Sequence, residues 1–156
     1  MARRKRQYKR ELKPDPKYGN LVVSKFINSI MERGKKGAAR KTIYNTLGFI
    51  STKLKKDPIE IFDLALKNVA PDLEIKGRRI GGANYQIPYE VRGDRKQTLA
   101  FRWIIEAAKA KKGQPMSIRL ATEIIDASKN QGSAVRKKED SHRMARANKA
   151  FAHFAR

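Results

Sequence analysis

The chain has 156 residues, with 37 Lys and Arg against 15 Asp and Glu, a net charge of +22, and no cysteine. This length is typical of one domain. So large a positive charge favours a polyanionic partner, nucleic acid first and an anionic membrane surface second. The composition excludes a disulfide framework and a thiolate zinc site. No apolar run reaches the roughly 18 residues that span a bilayer, and the basic N-terminus lacks the apolar segment of a secretory signal. The absence of cysteine is compatible with a cytosolic location.

Residues 1–19 form a basic stretch in which Pro14 and Pro16 favour extended backbone. The stretch is either a solvated tail or an arm that becomes ordered on RNA, and the net charge favours the arm. Its candidate RNA-binding residues are Arg3, Arg4, Lys5, Arg6 and Arg10.

Residues 20–156 predict a helical domain with a hairpin inserted at about 72–91. Asn20 is suited to cap a first helix, which Gly34 is expected to end. The second helix has an apolar stripe of Ala39, Ile43, Leu47, Ile50 and Leu54. A third begins at Asp57-Pro58, which supplies an N-cap and a proline at the first helical position.

Three more helices are predicted after the hairpin. Residues 97–111 are apolar around much of the helix circumference, so this fourth helix, which includes Trp103, is expected to be central. A fifth begins at Pro115, and a sixth begins at Gly132-Ser133 and runs to about Phe151. The expected fold is mainly α: a single domain of about six helices with a protruding two-stranded β-hairpin and an extended basic N-terminal arm.

The hairpin is predicted by apolar residues that alternate with polar ones on both sides of Gly81-Gly82. A two-residue loop would place Ile80 opposite Ala83 and the apolar sets of the two strands on opposite faces. A three-residue loop would pair Ile75 with Tyr89 and gather the apolar residues on one face. Because a slip of one residue exchanges the faces, the pattern favours the three-residue loop with a glycine bulge.

A basic, glycine-tipped ribbon can enter a nucleic-acid groove or lie along a backbone, although an ordinary hairpin with solvated arginines would have the same sequence. Tyr85, near the tip, is a candidate for stacking on an unpaired base, whereas cross-strand packing is expected for Tyr89. The candidate RNA-binding residues here are Lys76, Arg78, Arg79, Gly81, Gly82, Tyr85, Arg92, Arg95 and Lys96.

Two further basic segments are candidates. The run Gly34-Lys35-Lys36-Gly37 resembles a KH-domain loop, but helices flank it, so a helix–helix turn that presents Lys35 and Lys36 to phosphate is favoured. The sixth helix has a thin apolar side, and its polar side is either functional or simply solvated; its candidates are Arg136, Lys137, Lys138 and Arg143. Glu139, Asp140 and His142 are expected to join surface ion pairs rather than a metal or catalytic site.

Three runs of residues resemble one known family, that of small-subunit ribosomal protein seven, in its bacterial type. They are Pro16-Lys17-Tyr18 with the residues through Lys36, Arg78-Arg79-Ile80-Gly81-Gly82-Ala83-Asn84-Tyr85-Gln86-Ile87-Pro88, and Ala134-Val135-Arg136-Lys137-Lys138-Glu139-Asp140 with the residues through His153. The resemblance covers essentially the whole chain.

The resemblance implies a structural constituent of the small ribosomal subunit in the cytoplasm, with neither catalysis nor a cofactor. It implies primary binding to the 3′ major domain of 16S rRNA, nucleation of head assembly, and a place at the subunit interface near the tRNA exit site, close to tRNA and mRNA. It also implies ribosomal proteins nine and eleven as neighbours and a monomer within the subunit.

Two other functions are considered from the residues alone. An architectural DNA-binding protein would use the hairpin as a minor-groove arm, but such arms are usually built on a dimer, which nothing in the sequence predicts. An enzyme acting on nucleic acid would need an acid–base pair or a metal set, and no convincing one is present.

Overall fold

The computed structural model describes residues 11–155, so the candidates Arg3, Arg4, Lys5, Arg6 and Arg10 lie outside the described part of the chain. The mainly helical class with one two-stranded hairpin is confirmed. The elements in chain order are α1 Leu21–Ile30, α2 Lys36–Leu54, α3 Pro58–Val69, β1 Leu73–Ile80, β2 Ala83–Glu90, α4 Gly93–Ala110, α5 Met116–Ser128, α6 Ser133–Ala147 and a C-terminal 3₁₀ helix Lys149–Ala155.

The chain divides into two compact units, one up to Arg40 and one from Lys41; the boundary predicted after residue 19 stays a prediction. In the first unit, Asn20 caps α1, because its side-chain oxygen accepts from Val22 N and Val23 N. The helix ends at Ile30, and Gly34 lies in the turn that follows, with φ at 73°. The expectation that Gly34 ends α1 is therefore wrong by one turn.

The core of the second unit is helical. The helix α4 contacts α3, α5 and α6, and it buries eight residues, among them Trp103 and Ile104, so its predicted central position is confirmed. Asp57 caps α3 through a hydrogen bond from Ile59 N at 2.9 Å, also as predicted. None of the helices within residues 11–155 is both long enough and apolar enough to cross a membrane.

Two further helix boundaries, at the start of α4 and the end of α6, differ from those predicted. The helix α4 begins at Gly93 rather than at residue 97, and Asp94 in its first turn suits the positive end of the helix dipole. The helix α6 ends at Ala147 rather than at Phe151. Asn148 is its C-cap: the backbone N–H donates to Met144 O at 3.1 Å, and the side-chain amide donates to the same oxygen at 2.8 Å.

The predicted three-residue loop of the hairpin is wrong. Ile80 faces Ala83 and Ile75 faces Pro88 rather than Tyr89. Gly81 and Gly82 both have positive φ, 57° and 88°, as the two central residues of a type I′ turn require. This turn fits the twist of the strands. The geometry of the turn therefore determined the strand register, against the register that the alternation of apolar residues had favoured. As a consequence, Tyr85, Ile87 and Tyr89 share a face with polar side chains of β1, those of Glu74, Lys76 and Arg78.

Candidate nucleic-acid interface

Two hydrogen bonds fix the root of the hairpin to α6, and a third joins α6 to the end of α3. His142 Nε2 accepts from the backbone N–H of Asp72 at 3.0 Å. Ser141 Oγ donates to Leu73 O at 3.4 Å, and Lys138 Nζ donates to Asn68 O at 2.8 Å. The hairpin is therefore held at its base by side chains of a basic helix. These roles of Ser141 and His142 were missed from the sequence, because their backbone partners lie about 70 residues earlier.

Two carboxylates at this root organise three of the predicted RNA-binding cations. Glu74 lies 2.8 Å from Lys76 Nζ and 3.2 Å from Arg95 Nη2, and Asp72 lies 2.5 Å from Lys96 Nζ. Burial raises the pKa of Glu74, but hydrogen bonds from Lys76 and Arg95 outweigh it and hold the pKa below its ordinary value. The hydrogen bond from Lys96 likewise lowers the pKa of Asp72. Both acids therefore stay ionised and orient the neighbouring cations.

The two faces of the hairpin differ in what they offer a ligand. One face carries Arg79 opposite Asn84 and Gly77 opposite Gln86, and all four residues are exposed. The Arg79 side chain has no hydrogen bond or ion pair with any residue between 11 and 155, so its guanidinium is free to bind phosphate or a base edge. We call Gly77, Arg79, Asn84 and Gln86 the outer face.

The opposite face is covered near its tip by the C-terminal 3₁₀ helix. The Tyr85 ring lies 5.2 Å from Phe151 and 5.8 Å from Phe154, centroid to centroid, and Arg78 Nη1 donates to Phe154 O at 3.0 Å. Tyr85 is half-buried, so the predicted base stacking would compete with these aromatic contacts. Phe151 and Phe154 were not predicted as partners of the hairpin, although their spacing of three residues was a visible signal.

The cations of α6 are mostly engaged. Lys137 lies 2.5 Å from Glu106, and Arg143 lies 2.6 Å from Asp140, so the predicted surface ion pair of Asp140 is confirmed. Arg136 is exposed and, within the described residues, its side chain has no partner. Arg92, which follows β2, is also exposed, and its side chain has no partner among the residues that the structure describes. Arg79, Arg92 and Arg136 are thus predicted residues of this unit that are exposed and have no side-chain partner among residues 11–155.

In the first unit, Lys35 and Lys36 lie where they were predicted, in an exposed helix–helix turn. Arg33 and Gly34 both have positive φ, 50° and 73°, which reverses the chain between α1 and α2. Both lysine side chains are exposed and make no side-chain hydrogen bond or ion pair with the residues that the structure describes. Lys36 also begins α2, where the helix dipole favours an anion.

Comparisons with known proteins point to one family. A family model described as ribosomal protein S7p/S5e matches residues 2–149. Two proteins with the name small ribosomal subunit protein uS7 are similar over 99% of both chains: that of Bradyrhizobium diazoefficiens at 51% identity and that of Rhizorhabdus wittichii at 53%. The protein of the same name from Thermotoga neapolitana is 53% identical over 97% of this chain and 98% of its own.

Proposed function

The chain belongs to the family of ribosomal protein S7p/S5e, and from this premise we propose how it works in the small ribosomal subunit. It is a structural ribosomal protein and not an enzyme, since both the family and the relatives are ribosomal. Its biochemical role is to bind small-subunit rRNA. The observation that carries this function is the match of more than half its residues to uS7 proteins along nearly the whole chain.

In finer detail, we propose that the protein is a primary binder of the 3′ major domain of 16S rRNA and nucleates assembly of the subunit head. Its hairpin is proposed to lie near the tRNA exit site, close to tRNA and mRNA, with ribosomal proteins nine and eleven as neighbours. The exposed outer face of the hairpin supports this, because it offers a cation and two amides on a two-stranded ribbon.

The basic residues differ in whether a carboxylate of the protein already binds their charged groups. Exposed cations without partners gain most from a phosphate, because they give up only water and counterions. Cations in ion pairs gain less, because a phosphate must compete with a carboxylate for them. Arg79, Arg92 and Arg136 are therefore proposed as principal contacts, while Lys76, Arg95 and Lys96 mainly supply positive potential. Such contacts fix position on a folded RNA and read little sequence.

The test is the affinity of Arg79→Glu for a fragment of the 3′ major domain. Its control is Lys67→Glu, which reverses the same charge at an exposed position on α3 near the acidic residues Glu60 and Asp63. We expect Arg79→Glu to weaken binding at least about tenfold more than Lys67→Glu, which corresponds to about 1.4 kcal/mol. Equal losses in the two variants would show that only total charge matters and would contradict a role for the outer face.

A further inference from the structure

The first unit contains a pocket of about 560 Å³. It lies among the segment 11–16, the helix α1 and the first turn of α2, all within residues up to Arg40. Its lining includes apolar residues, among them Leu12, Pro14 and Ile27, and three cations, Lys13, Lys36 and Arg40. The acidic residues Glu11 and Asp15 and the hydroxyl of Ser24 complete it. A concave site that combines apolar wall residues with polar groups is typical of small-molecule binding, and the volume lies within the usual range of about 300–1,000 Å³.

The segment that forms one wall is held in place by its own hydrogen bonds. Ser24 Oγ on α1 donates to Lys13 O at 2.9 Å. The Asp15 carboxylate accepts from Lys17 N at 3.1 Å and from Tyr18 N at 3.2 Å, and Asp15 is only 2% exposed. The wall is therefore formed before any ligand arrives, which lowers the entropy cost of binding.

The cationic side of the pocket lacks a partner. The Nε–H of Arg40 is buried and makes no hydrogen bond within residues 11–155, although buried donors in proteins are nearly always paired. Lys36 adds an exposed ammonium at the N-terminus of α2, and both charge and helix dipole favour an anion there. Arg40 is only half-buried, and the accessible part of its guanidinium, near a lysine at a helix N-terminus, fits a phosphate group.

We propose that this pocket receives a single unpaired nucleotide of the RNA strand, with the base against Leu12, Pro14 and Ile27 and the phosphate on Lys36 and Arg40. The proposal rests on the proposed function, because it assumes that the strand is RNA. Proteins that recognise RNA often hold a splayed base beside its backbone phosphate. The apolar part of the wall points to a nucleotide rather than a phosphate alone, since an inorganic anion would gain nothing from it.

The direct test uses the full chain without rRNA. Amide signals of Leu12, Ser24 and Lys36 are followed by NMR during separate titrations with each of the four ribonucleoside 5′-monophosphates, the matching nucleosides and inorganic phosphate. We expect at least one monophosphate to shift these signals saturably, at least about tenfold more tightly than its nucleoside or phosphate. Equal binding of phosphate alone would reduce the pocket to an anion site and overturn the proposal, as would the absence of any saturable shift.

A second test compares Lys36→Gln with Lys35→Gln. Both remove one charge from adjacent exposed lysines, but only Lys36 lines the pocket. We expect Lys36→Gln to weaken binding of the 3′ major domain fragment at least about fivefold more than Lys35→Gln. Equal effects would contradict nucleotide binding in the pocket without contradicting the proposed binding of rRNA by the chain. Failure of the wild-type chain to prefer that fragment would contradict the proposed function instead, while the nucleotide titration would still decide whether the pocket binds.

Discussion

Glu123 on α5 accepts a hydrogen bond from the backbone N–H of Ala134, near the start of α6, at 2.9 Å. Its side chain is fully buried, and Lys111 Nζ forms an ion pair with the other carboxylate oxygen at 2.8 Å. The carboxylate thus caps α6 from a neighbouring helix, where the helix dipole favours a negative charge. Because α6 also anchors the hairpin, this contact helps to hold the proposed interface in position.

Replacement of Glu123 by Ala is expected to lower the free energy of unfolding by about 2 kcal/mol or more, since the buried capping hydrogen bond to Ala134 N and the ion pair with Lys111 are lost together. Glu106→Ala is the control, because it removes an ion pair with Lys137 in which both side chains are about half exposed; it should cost less than about 1 kcal/mol. Urea unfolding at constant salt measures both values. Similar losses in the two variants would show that Glu123 does not hold α6.

Gly132 is expected to tolerate no side chain. Its φ is 98°, and a Cβ there would lie 2.9 Å from Glu123 Oε1 and 3.2 Å from Asp126 Cβ. Gly132→Ala should therefore destabilise the protein by more than about 1 kcal/mol. Gly48→Ala should do the opposite, because Gly48 lies within α2 with open space around it; a gain of about 0.5–1 kcal/mol is expected. Thermal unfolding measures the two changes, and the same sign for both would contradict the structure.

Loss of the Phe151 ring is expected to loosen the hairpin. Phe151→Ala removes the aromatic contact with Tyr85, which is worth about 0.5–1.5 kcal/mol beyond the buried area. Amide hydrogen exchange should accelerate in β2 while α5 stays protected. Met144→Ala is the control, since Met144 is 49% exposed on α6. Unchanged protection of β2 in Phe151→Ala would show that the 3₁₀ helix does not stabilise the hairpin.

His142 should make the hairpin root sensitive to pH. Burial lowers its pKa from the ordinary 6.5, Lys138 and Arg146 on α6 and Lys96 on α4 lower it further, and Asp72 opposes them. The folded state therefore favours the neutral ring, which can accept from Asp72 N. The contribution of the neutral ring to the free energy of unfolding is fully present above pH 6.5. It is lost as the pH falls below 6.5 toward the pKa of His142 in the folded state.

The measurement is the thermal midpoint of wild type and His142→Asn from about pH 8 to about pH 5, the range in which histidine titrates. The wild type should lose more stability on acidification than the variant. An NMR titration of His142 should give a pKa below 6.5. Parallel pH profiles would show that His142 has no part in this dependence.

Local signals predicted the helices well, and contacts distant in sequence account for most of what was missed. Asn20 and Asp57 cap their helices through backbone groups two or three residues away, so their roles are visible in the sequence. Glu123 had no such signal. Its position between Leu120 and Ile124 is that of a residue on the polar side of an amphipathic helix, and its partners Lys111 and Ala134 lie on other segments.

The hairpin register shows a different limit. Apolar alternation in the two strands favoured one loop length, and the glycine pair favoured another. The structure resolves the conflict through contacts that the sequence does not reveal: β2 is covered by α6 and the 3₁₀ helix. Ile87 is fully buried although it faces Lys76, and the Lys76 ammonium lies over the Tyr89 ring at 5.2 Å. The long alkyl part of a lysine can cover apolar neighbours while its charge stays in water.

The central claim is that this chain recognises a folded rRNA rather than any polyanion. The most direct measurement is the affinity of the full chain for a 3′ major domain fragment, a scrambled RNA and a duplex DNA of equal length as salt rises. Phosphate contacts alone weaken all three, with log–log slopes of about −0.7 to −0.9 for each neutralised phosphate. We expect the cognate fragment to stay bound at salt that releases the other two. If all three dissociate together, the protein binds charge without recognising shape, and the claim is wrong.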